Sequence, residues 1–241
     1  MERRDKDTNR TVYNELRRNE RQRFSTEPSK VRTAEVVVPW IVSNVAAGSR
    51  LLDIAGGAGT YASEIVRAAS ITVVGVDISA SMVAQRAEDP LLTENVVGDM
   101  ESLPFEPATF DAAMFIACLH HIPDPYPALR EAWRVLRAGG QVFAFEPSSA
   151  RAKGAGNEPI PGHPHEFRMS GRWLARRVAD AGFDIVELRH RQIAMRVLRR
   201  VAARPSLALL RTGDVLDGAL RRIPGLESYG EIVMVRARKP Q

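Results

Sequence analysis

The sequence predicts an α/β protein whose parallel sheet carries helices on both faces. Segments rich in β-branched residues alternate with amphipathic segments along most of its 241 residues. A glycine-rich turn follows the first apolar run, and acidic residues close the next two. The predicted strands cover residues 50–54, 71–77, 94–98, 110–116 and 141–146, and the predicted helices cover residues 60–69, 79–88, 125–137 and 170–181. At this length we expect a single domain, residues 1–241, with appendages.

The first strand leads into the turn Gly56-Gly57-Ala58-Gly59 and then into a helix. Because glycine lacks a Cβ, such a turn lets the backbone approach a ligand closely, and the helix behind it offers unpaired N–H groups. The segment 57–62 also satisfies the G-x-G-x-x-A pattern of nicotinamide and flavin enzymes. The turn alone therefore predicts a nucleotide site without saying which nucleotide.

Acidic residues stand where the second and third strands end. Asp77 lies 18 positions after Gly59, the spacing at which a carboxylate can accept both hydroxyls of a ribose. We expect Asp77 to be exposed at its strand end, so that alanine there would remove cofactor binding and leave the fold intact. Asp99 follows the third strand and is predicted to lie at the same edge of the sheet.

The later elements follow from capping and alternation. In the helix 125–137, Asp124 suits the N-cap, and Leu129, Trp133 and Leu136 recur at intervals of three and four, so these residues are predicted to face the core. Residues 183–191 and 231–239 alternate apolar and polar side chains, as half-exposed strands do.

Several segments together identify a family resemblance. They are Asp53 with Gly57-Ala58-Gly59, then Gly75–Ser79, Gly98–Phe105, Phe110–Asp124 and Leu136–Glu146. In this order and spacing they resemble the class I S-adenosylmethionine-dependent methyltransferases, in the branch that contains ubiquinone and menaquinone C-methyltransferases and many small-molecule methyltransferases. The resemblance covers residues 50–147 closely. It implies a Rossmann-like sheet of seven strands, mostly parallel, with the last strand antiparallel.

The resemblance also implies a set of residues that bind S-adenosylmethionine and its product S-adenosylhomocysteine. The glycine turn, Asp53 and the end of the fourth strand would surround the methionine part. Asp77 would hold the ribose, and the residues after the second and third strands would enclose the adenine. A second interpretation of Asp53, as an acceptor that organises the turn, stays open. The implied set is Asp53, Gly56, Gly57, Gly59, Asp77, Ile78, Asp99, Met100, Ile116 and Ala117.

Methyl transfer is an in-line displacement at an already activated carbon, so the enzyme mainly aligns the reactants and excludes water. It needs no metal and no covalent intermediate. A base is required only if the acceptor must lose a proton. Histidine suits that task because its ordinary pKa of ~6.5 leaves it mostly neutral at pH 7. The candidate bases are His120, His121 and His165, with Glu146 and Glu166 behind them, and of these His121 and His165 are the predicted catalytic residues. A structural role for the His120–His121 pair stays open.

The predicted acceptor is an O, N or C atom of a small organic metabolite. Residues 151–241 carry 18 Lys and Arg against 9 Asp and Glu, whereas residues 1–150 carry 16 against 20. The alternative is therefore a methyltransferase that docks RNA or protein on its basic C-terminal region, although arginine-rich solvated helix faces are also common. We expect nucleic acid not to be a partner, and a homodimer is left open. A nicotinamide oxidoreductase and a non-catalytic binding module are weaker alternatives.

Composition excludes several other classes. Cys118 is the single cysteine, which excludes an internal disulfide and a thiolate-only metal cluster. No apolar run approaches the ~20 residues of a membrane span, and the first residues have no apolar signal core, so we expect a cytoplasmic protein.

Three appendages surround the predicted cofactor-binding core of residues 50–147. Residues 1–30 are either a helix that folds over the cofactor or a disordered segment. Residues 148–170 are a predicted substrate loop at the edge of the sheet where ligands bind. Residues 192–230 are predicted to insert a helical lid, in which Ile193, Val197 and Val201 share an apolar face.

Overall fold

The computed structural model describes residues 27–148, 158–160, 163–194, 206–220, 222–223 and 230–241. The first 26 residues of the predicted N-terminal cap lie outside the described residues. So do residues 195–205, which include Val197 and Val201 of the predicted lid. The backbone of His165 is described, whereas its side chain is not.

Seven of the described strands form one sheet. The strands are β1 (Arg50–Ile54), β2 (Thr72–Asp77), β3 (Glu94–Val97), β4 (Phe110–Ile116), β5 (Leu136–Pro147), β6 (Glu158–Ile160), β7 (His163–Arg168), β8 (Asp184–Arg191) and β9 (Ile232–Arg238). The order in the large sheet is β3-β2-β1-β4-β5-β9-β8, and β6 pairs with β7 in a separate hairpin. β9 runs antiparallel to β5 and β8, while the other neighbours run parallel. The predicted sheet, including its antiparallel last strand, is confirmed.

Helices cover both faces of this sheet. They are α1 (Pro28–Val42), α2 (Thr60–Ala68), α3 (Ala80–Ala87), α4 (Tyr126–Val135), α5 (Gly171–Asp180) and α6 (Leu207–Leu220), with a short 3-10 turn at Leu119–His121. The four predicted helices match α2 to α5 within two residues at each end. None of the helices in the described ranges has the length and apolar character needed to traverse a bilayer.

Alternating side chains of the strands build one apolar cluster on each face. Phe115 of β4 packs among α4 and α5, whereas the adjacent Met114 packs on the opposite face among α1 and α2. On that second face Trp40 of α1 meets Phe143 edge to face, with ring centroids 5.1 Å apart. The carboxyl ends of β1, β2 and β4 lie side by side, because Ile54 is in register with Val76 of β2 on one side and with Phe115 of β4 on the other.

Two described elements are absent from the sequence-based prediction. The first is α1, which contains the β-branched run 36–38 and Pro39. The second is the β6–β7 hairpin, which lies inside the predicted substrate loop. α6 falls within the predicted lid insertion and packs against α1.

Candidate functional site

A cleft opens at the carboxyl ends of β1, β2 and β4. Nine of the ten residues implied to bind the cofactor lie in its wall, together with His121. The exception is Gly59, which is the N-cap of α2. The described lining residues are Lys30, Asp53, Ala55, Gly56, Gly57, Ala58, Thr60, Tyr61, Asp77, Ile78, Met82, Gly98, Asp99, Met100, Glu101, Ile116, Ala117, Cys118, His121 and Ile122.

Two residues of the glycine turn have positive φ for different reasons. Gly57 has a φ of 53°, and a Cβ placed on it would meet no atom within 4 Å. Gly57 therefore leaves room for a ligand to approach the backbone. Gly59 has a φ of 76°, but a Cβ there would collide with Leu92 and Arg86. Gly59 is thus a packing position beneath the turn.

Asp77 fastens the glycine turn to the end of β2. Its Oδ2 accepts a hydrogen bond from Gly57 N at 2.9 Å, and its Oδ1 accepts one from Ser79 N at 2.8 Å. The expectation that Asp77 is exposed is wrong, because only 9% of its surface is accessible. Burial raises the pKa of Asp77, and the two backbone hydrogen bonds oppose that rise. Replacing Asp77 would therefore disturb the turn as well as any ligand.

Asp53 forms a buried ion pair that the sequence did not predict. Its Oδ2 lies 2.6 Å from Nη1 of Arg86, and the two residues are 3% and 1% exposed. Arg86 Nε also donates to Asn95 Oδ1 of β3 at 2.5 Å. The pair supports the interpretation of Asp53 as an organiser of the turn. The spacing of four places Arg86 on the same face of α3 as Met82, but nothing in the local sequence indicates that the charge of Arg86 is buried.

The loop after β3 is ordered by its own acid. Asp99 Oδ1 accepts a hydrogen bond from Glu101 N at 2.9 Å, which shapes a tight turn beside the cleft. Met100 packs partly against the core, and Ile78 of the loop after β2 also reaches the cleft. Apolar side chains and a carboxylate thus enclose this end of the cleft.

The strands β1 and β4 are each followed directly by an alanine in the left-handed region. Ala55 has a φ of 52° and Ala117 has a φ of 53°. For residues other than glycine this conformation is strained, and such strain clusters at functional sites. The hydrogen bond from Ala117 N to Phe145 O, at 2.8 Å, helps to hold it. Both alanines line the cleft.

Glu146 of β5 holds the turn that carries the histidine pair. Its Oε1 accepts hydrogen bonds from the N–H groups of Cys118 and Leu119, both at 2.9 Å, and its Oε2 lies 2.8 Å from His120 Nδ1. Glu146 is fully buried and outside the cleft wall, so it supports the turn and is wrongly placed to act as a base on a substrate. The ring of His120 packs against that of His121, with centroids 3.9 Å apart.

Two of the predicted catalytic positions lie near each other. The strand β7, which contains His165, packs beside the 3-10 turn that contains His121. Glu166 on the same strand is partly buried. His121 lines the cleft, whereas the side chain of His165 lies outside the described residues.

The first turns of α1 bring Lys30 into the cleft wall, a residue that sequence reasoning missed. Ion pairs fasten this helix to α6: Arg32 Nε lies 2.5 Å from Asp214 Oδ2, and Arg211 pairs with Glu35. Hydrogen bonds from Arg211 and Arg32 lower the pKa of Glu35 to about 2. Among the described residues, α6 contributes none to the cleft wall, so its contact with the site passes through α1.

Comparison with known proteins places the cleft in a recognised domain. Residues 52–144 match the family described as Methyltransferase domain. A ubiquinone/menaquinone biosynthesis C-methyltransferase of Rhizobium leguminosarum bv. trifolii is 43% identical over 109 residues, which are 41% of this chain and 42% of that protein. The 27-O-demethylrifamycin SV methyltransferase of Amycolatopsis mediterranei is 37% identical over 115 residues, which are 43% of this chain and 42% of that protein. The chain thus spans less than half the length of these relatives.

The fold is shared more widely than the sequence. The crystal structure of the [4+2]-cyclase SpnF superposes with a TM-score of 0.63 at 24% identity, over 85% of this chain and 80% of that one. At this identity the likeness shows the fold alone.

Proposed function

We propose that this chain, whose residues 52–144 match the family described as Methyltransferase domain, is a class I S-adenosylmethionine-dependent methyltransferase. It binds S-adenosylmethionine in the cleft and transfers the methyl group to an O, N or C atom of a small organic metabolite. The observation that carries the proposal is the hydrogen bond between Asp77 and Gly57 N. It joins the acid expected to bind ribose to the turn expected to bind the methionine part, within one cleft.

The chemistry of the cleft fits this cofactor. When bound, S-adenosylmethionine supplies a methyl group already activated by a sulfonium. Carboxylates in the wall complement its positive charge, and Gly57 leaves the space for close backbone approach. The loops that carry Ile78 and Met100 give a flat heterocycle apolar neighbours, while Asp99 offers an acceptor.

Apolar residues at and after the end of β4 exclude water from the place where the methyl group is transferred. Ile116, Ala117 and Ile122 form an apolar wall next to His121. Where the acceptor must lose a proton, His121 is the base we propose, because it lines the cleft and Glu146 fixes the turn that carries it. His165 is the second candidate, since its strand packs beside that turn.

The relatives support a small-molecule acceptor without deciding which atom is methylated. One of them is named a C-methyltransferase, and the other is named as a methyltransferase of 27-O-demethylrifamycin SV. In the described part of the basic C-terminal region, several arginines are engaged in ion pairs within the chain. They are Arg177, Arg189, Arg191, Arg211 and Arg236. That engagement favours a structural use of the charge over docking of RNA or protein.

Label transfer tests the proposal. The protein is incubated with methyl-labelled S-adenosylmethionine and, separately, with a small-metabolite extract, total RNA and a protein fraction. We expect label in the metabolite fraction only. Label in RNA or protein would overturn the acceptor class, and no label anywhere together with no calorimetric binding of S-adenosylhomocysteine would overturn the activity. The binding measurement is needed because a shared fold alone does not establish methyl transfer.

A further inference from the structure

The charges around the cleft are strongly unequal. Four carboxylates, those of Asp53, Asp77, Asp99 and Glu101, lie in its wall, while Lys30 is the one lysine or arginine among the described lining residues. Asp53 already pairs with Arg86 behind the turn. The cofactor proposed above carries a sulfonium and an ammonium, which suit carboxylates, but also a carboxylate that such a wall would repel. A carboxylate removed from water needs a cation or hydrogen-bond donors.

From this we infer that Lys30 binds the carboxylate of the methionine part of the cofactor. The inference rests on the proposed function and names a part of the binding site that the family motifs do not supply. It also gives α1 a role in binding, because the helix delivers the cation that completes the site.

The course of α1 places Lys30 on the correct side of the cleft. α1 ends eight residues before β1 begins, so its last turn lies at the amino edge of the sheet and its first turn at the carboxyl edge. Lys30, Val37 and Ile41 are spaced 7 and 4 residues apart and therefore share one face of the helix. Val37 and Ile41 on this face pack in the cluster that includes Ile65 of α2, the helix that begins at the glycine turn.

The acceptor side of the cleft lies on the other face of the sheet. Leu119 and Ile122, which flank His121, pack in the cluster that covers α4 and α5. Lys30 and His121, which both line the cleft, thus belong to segments that pack on opposite faces of the sheet. This separation assigns Lys30 to the methionine part beside the glycine turn rather than to the acceptor.

Contacts outside the cleft hold Lys30 in place. Its backbone N–H donates to Glu27 O at 3.0 Å in the first turn of α1. Two positions later, Arg32 is bound by Asp214 of α6, whose other oxygen lies 3.0 Å from Arg191 Nη2 of β8. A cation on a helix anchored in this way loses little further backbone freedom when it binds an anion.

Titration calorimetry with two ligands tests the inference. One is S-adenosylhomocysteine; the other is its decarboxylated analogue, which keeps the nucleoside, thioether and amine but has no carboxylate. We expect Lys30→Met to weaken the binding of S-adenosylhomocysteine by about tenfold or more, because a charge-assisted contact is lost. The affinity for the analogue should change by less than about twofold. Lys30→Arg should keep most of the affinity for both ligands.

The control is Arg67→Met, which removes the same charge from an exposed position on α2 and should leave both affinities unchanged. The wild-type protein gives an independent check, since it should prefer S-adenosylhomocysteine over the analogue by about tenfold. If Lys30→Met lost equal affinity for the two ligands, the role of Lys30 would be overturned. A wild-type preference for S-adenosylhomocysteine over the analogue below twofold would overturn it too. Either result would leave the proposed function standing. Failure of the wild-type protein to bind S-adenosylhomocysteine would overturn the proposed function itself.

Discussion

Replacing Arg86 by methionine is expected to destabilise the protein strongly. The substitution leaves the carboxylate of Asp53 buried at 3% exposure, without the guanidinium that now lies 2.6 Å away. Removing one partner of a buried ion pair costs about 3–5 kcal/mol, because the remaining charge is uncompensated. For a chain of this size that corresponds to a fall in Tm of roughly 6–20 °C. Methionine is chosen because its unbranched side chain fills much of the same space.

The pH dependence of this loss has a definite sign. Burial raises the pKa of Asp53 above its ordinary value, and Arg86 opposes the rise. In the variant that opposition is gone, so the pKa of Asp53 in the folded protein lies higher still. A carboxyl group with a raised pKa in the folded state costs stability as pH rises from about 4 through that pKa. The deficit of Arg86→Met relative to wild type should therefore be larger at pH 8 than at pH 5.

Thermal and urea unfolding of four proteins measures the effect: wild type, Arg86→Met, Asp53→Asn and the double variant. The double variant should recover part of the loss, because the buried charge is then gone. A deficit for Arg86→Met below about 1 kcal/mol, or one that is equal at the two pH values, would refute the reasoning.

Three further predictions concern residues that line the cleft or support its turns. Asp77→Asn should weaken the binding of S-adenosylhomocysteine by about tenfold in calorimetry and also lower Tm, because Gly57 N and Ser79 N bind different oxygens of Asp77 and the amide NH2 that replaces one oxygen cannot accept a hydrogen bond; an unchanged affinity would remove Asp77 from the site. Glu146→Leu leaves the buried donors of Cys118 and Leu119 without their acceptor and should cost about 2–4 kcal/mol in urea unfolding, so a loss below 1 kcal/mol would contradict the role given to Glu146. Ala117→Val forces a β-branched side chain into a positive φ and should cost about 2 kcal/mol, whereas Ala117→Gly should stay within about 1 kcal/mol of wild type; equal effects in the two would show that the backbone there is not strained.

Sequence reasoning succeeded where one local signal dominates. The strand 110–116 was placed at its observed bounds because its residues are almost all apolar and follow a turn. Asp77 and Asp99 were predicted to line the cleft because each stands at the end of an apolar run. The prediction that Asp77 is exposed was wrong, because the glycine turn covers its carboxylate through a contact between residues 20 positions apart.

Where packing overrides local preference, the sequence was less informative. The segment 28–42 contains Pro39 and three consecutive valines, which disfavour a helix, yet burial of Val37 and Trp40 stabilises α1. Arg86 looks like one more arginine on a solvated helix face. Its burial depends on Gly75 of β2, where any side chain would collide with the guanidinium, and no periodicity in the sequence reveals that space.

The ion pair between Arg32 and Asp214 joins two parts of the chain that are 182 positions apart. The first of these parts is the helix α1, which carries Lys30, and the second is the insertion that contains α6. A hybrid that exchanged residues 206–220 with those of a relative would leave Arg32 and Arg191 facing whatever residue replaced Asp214. We therefore expect the two segments to be inherited and to diversify as a pair, so that a change of insertion in this lineage carries a matching change in α1.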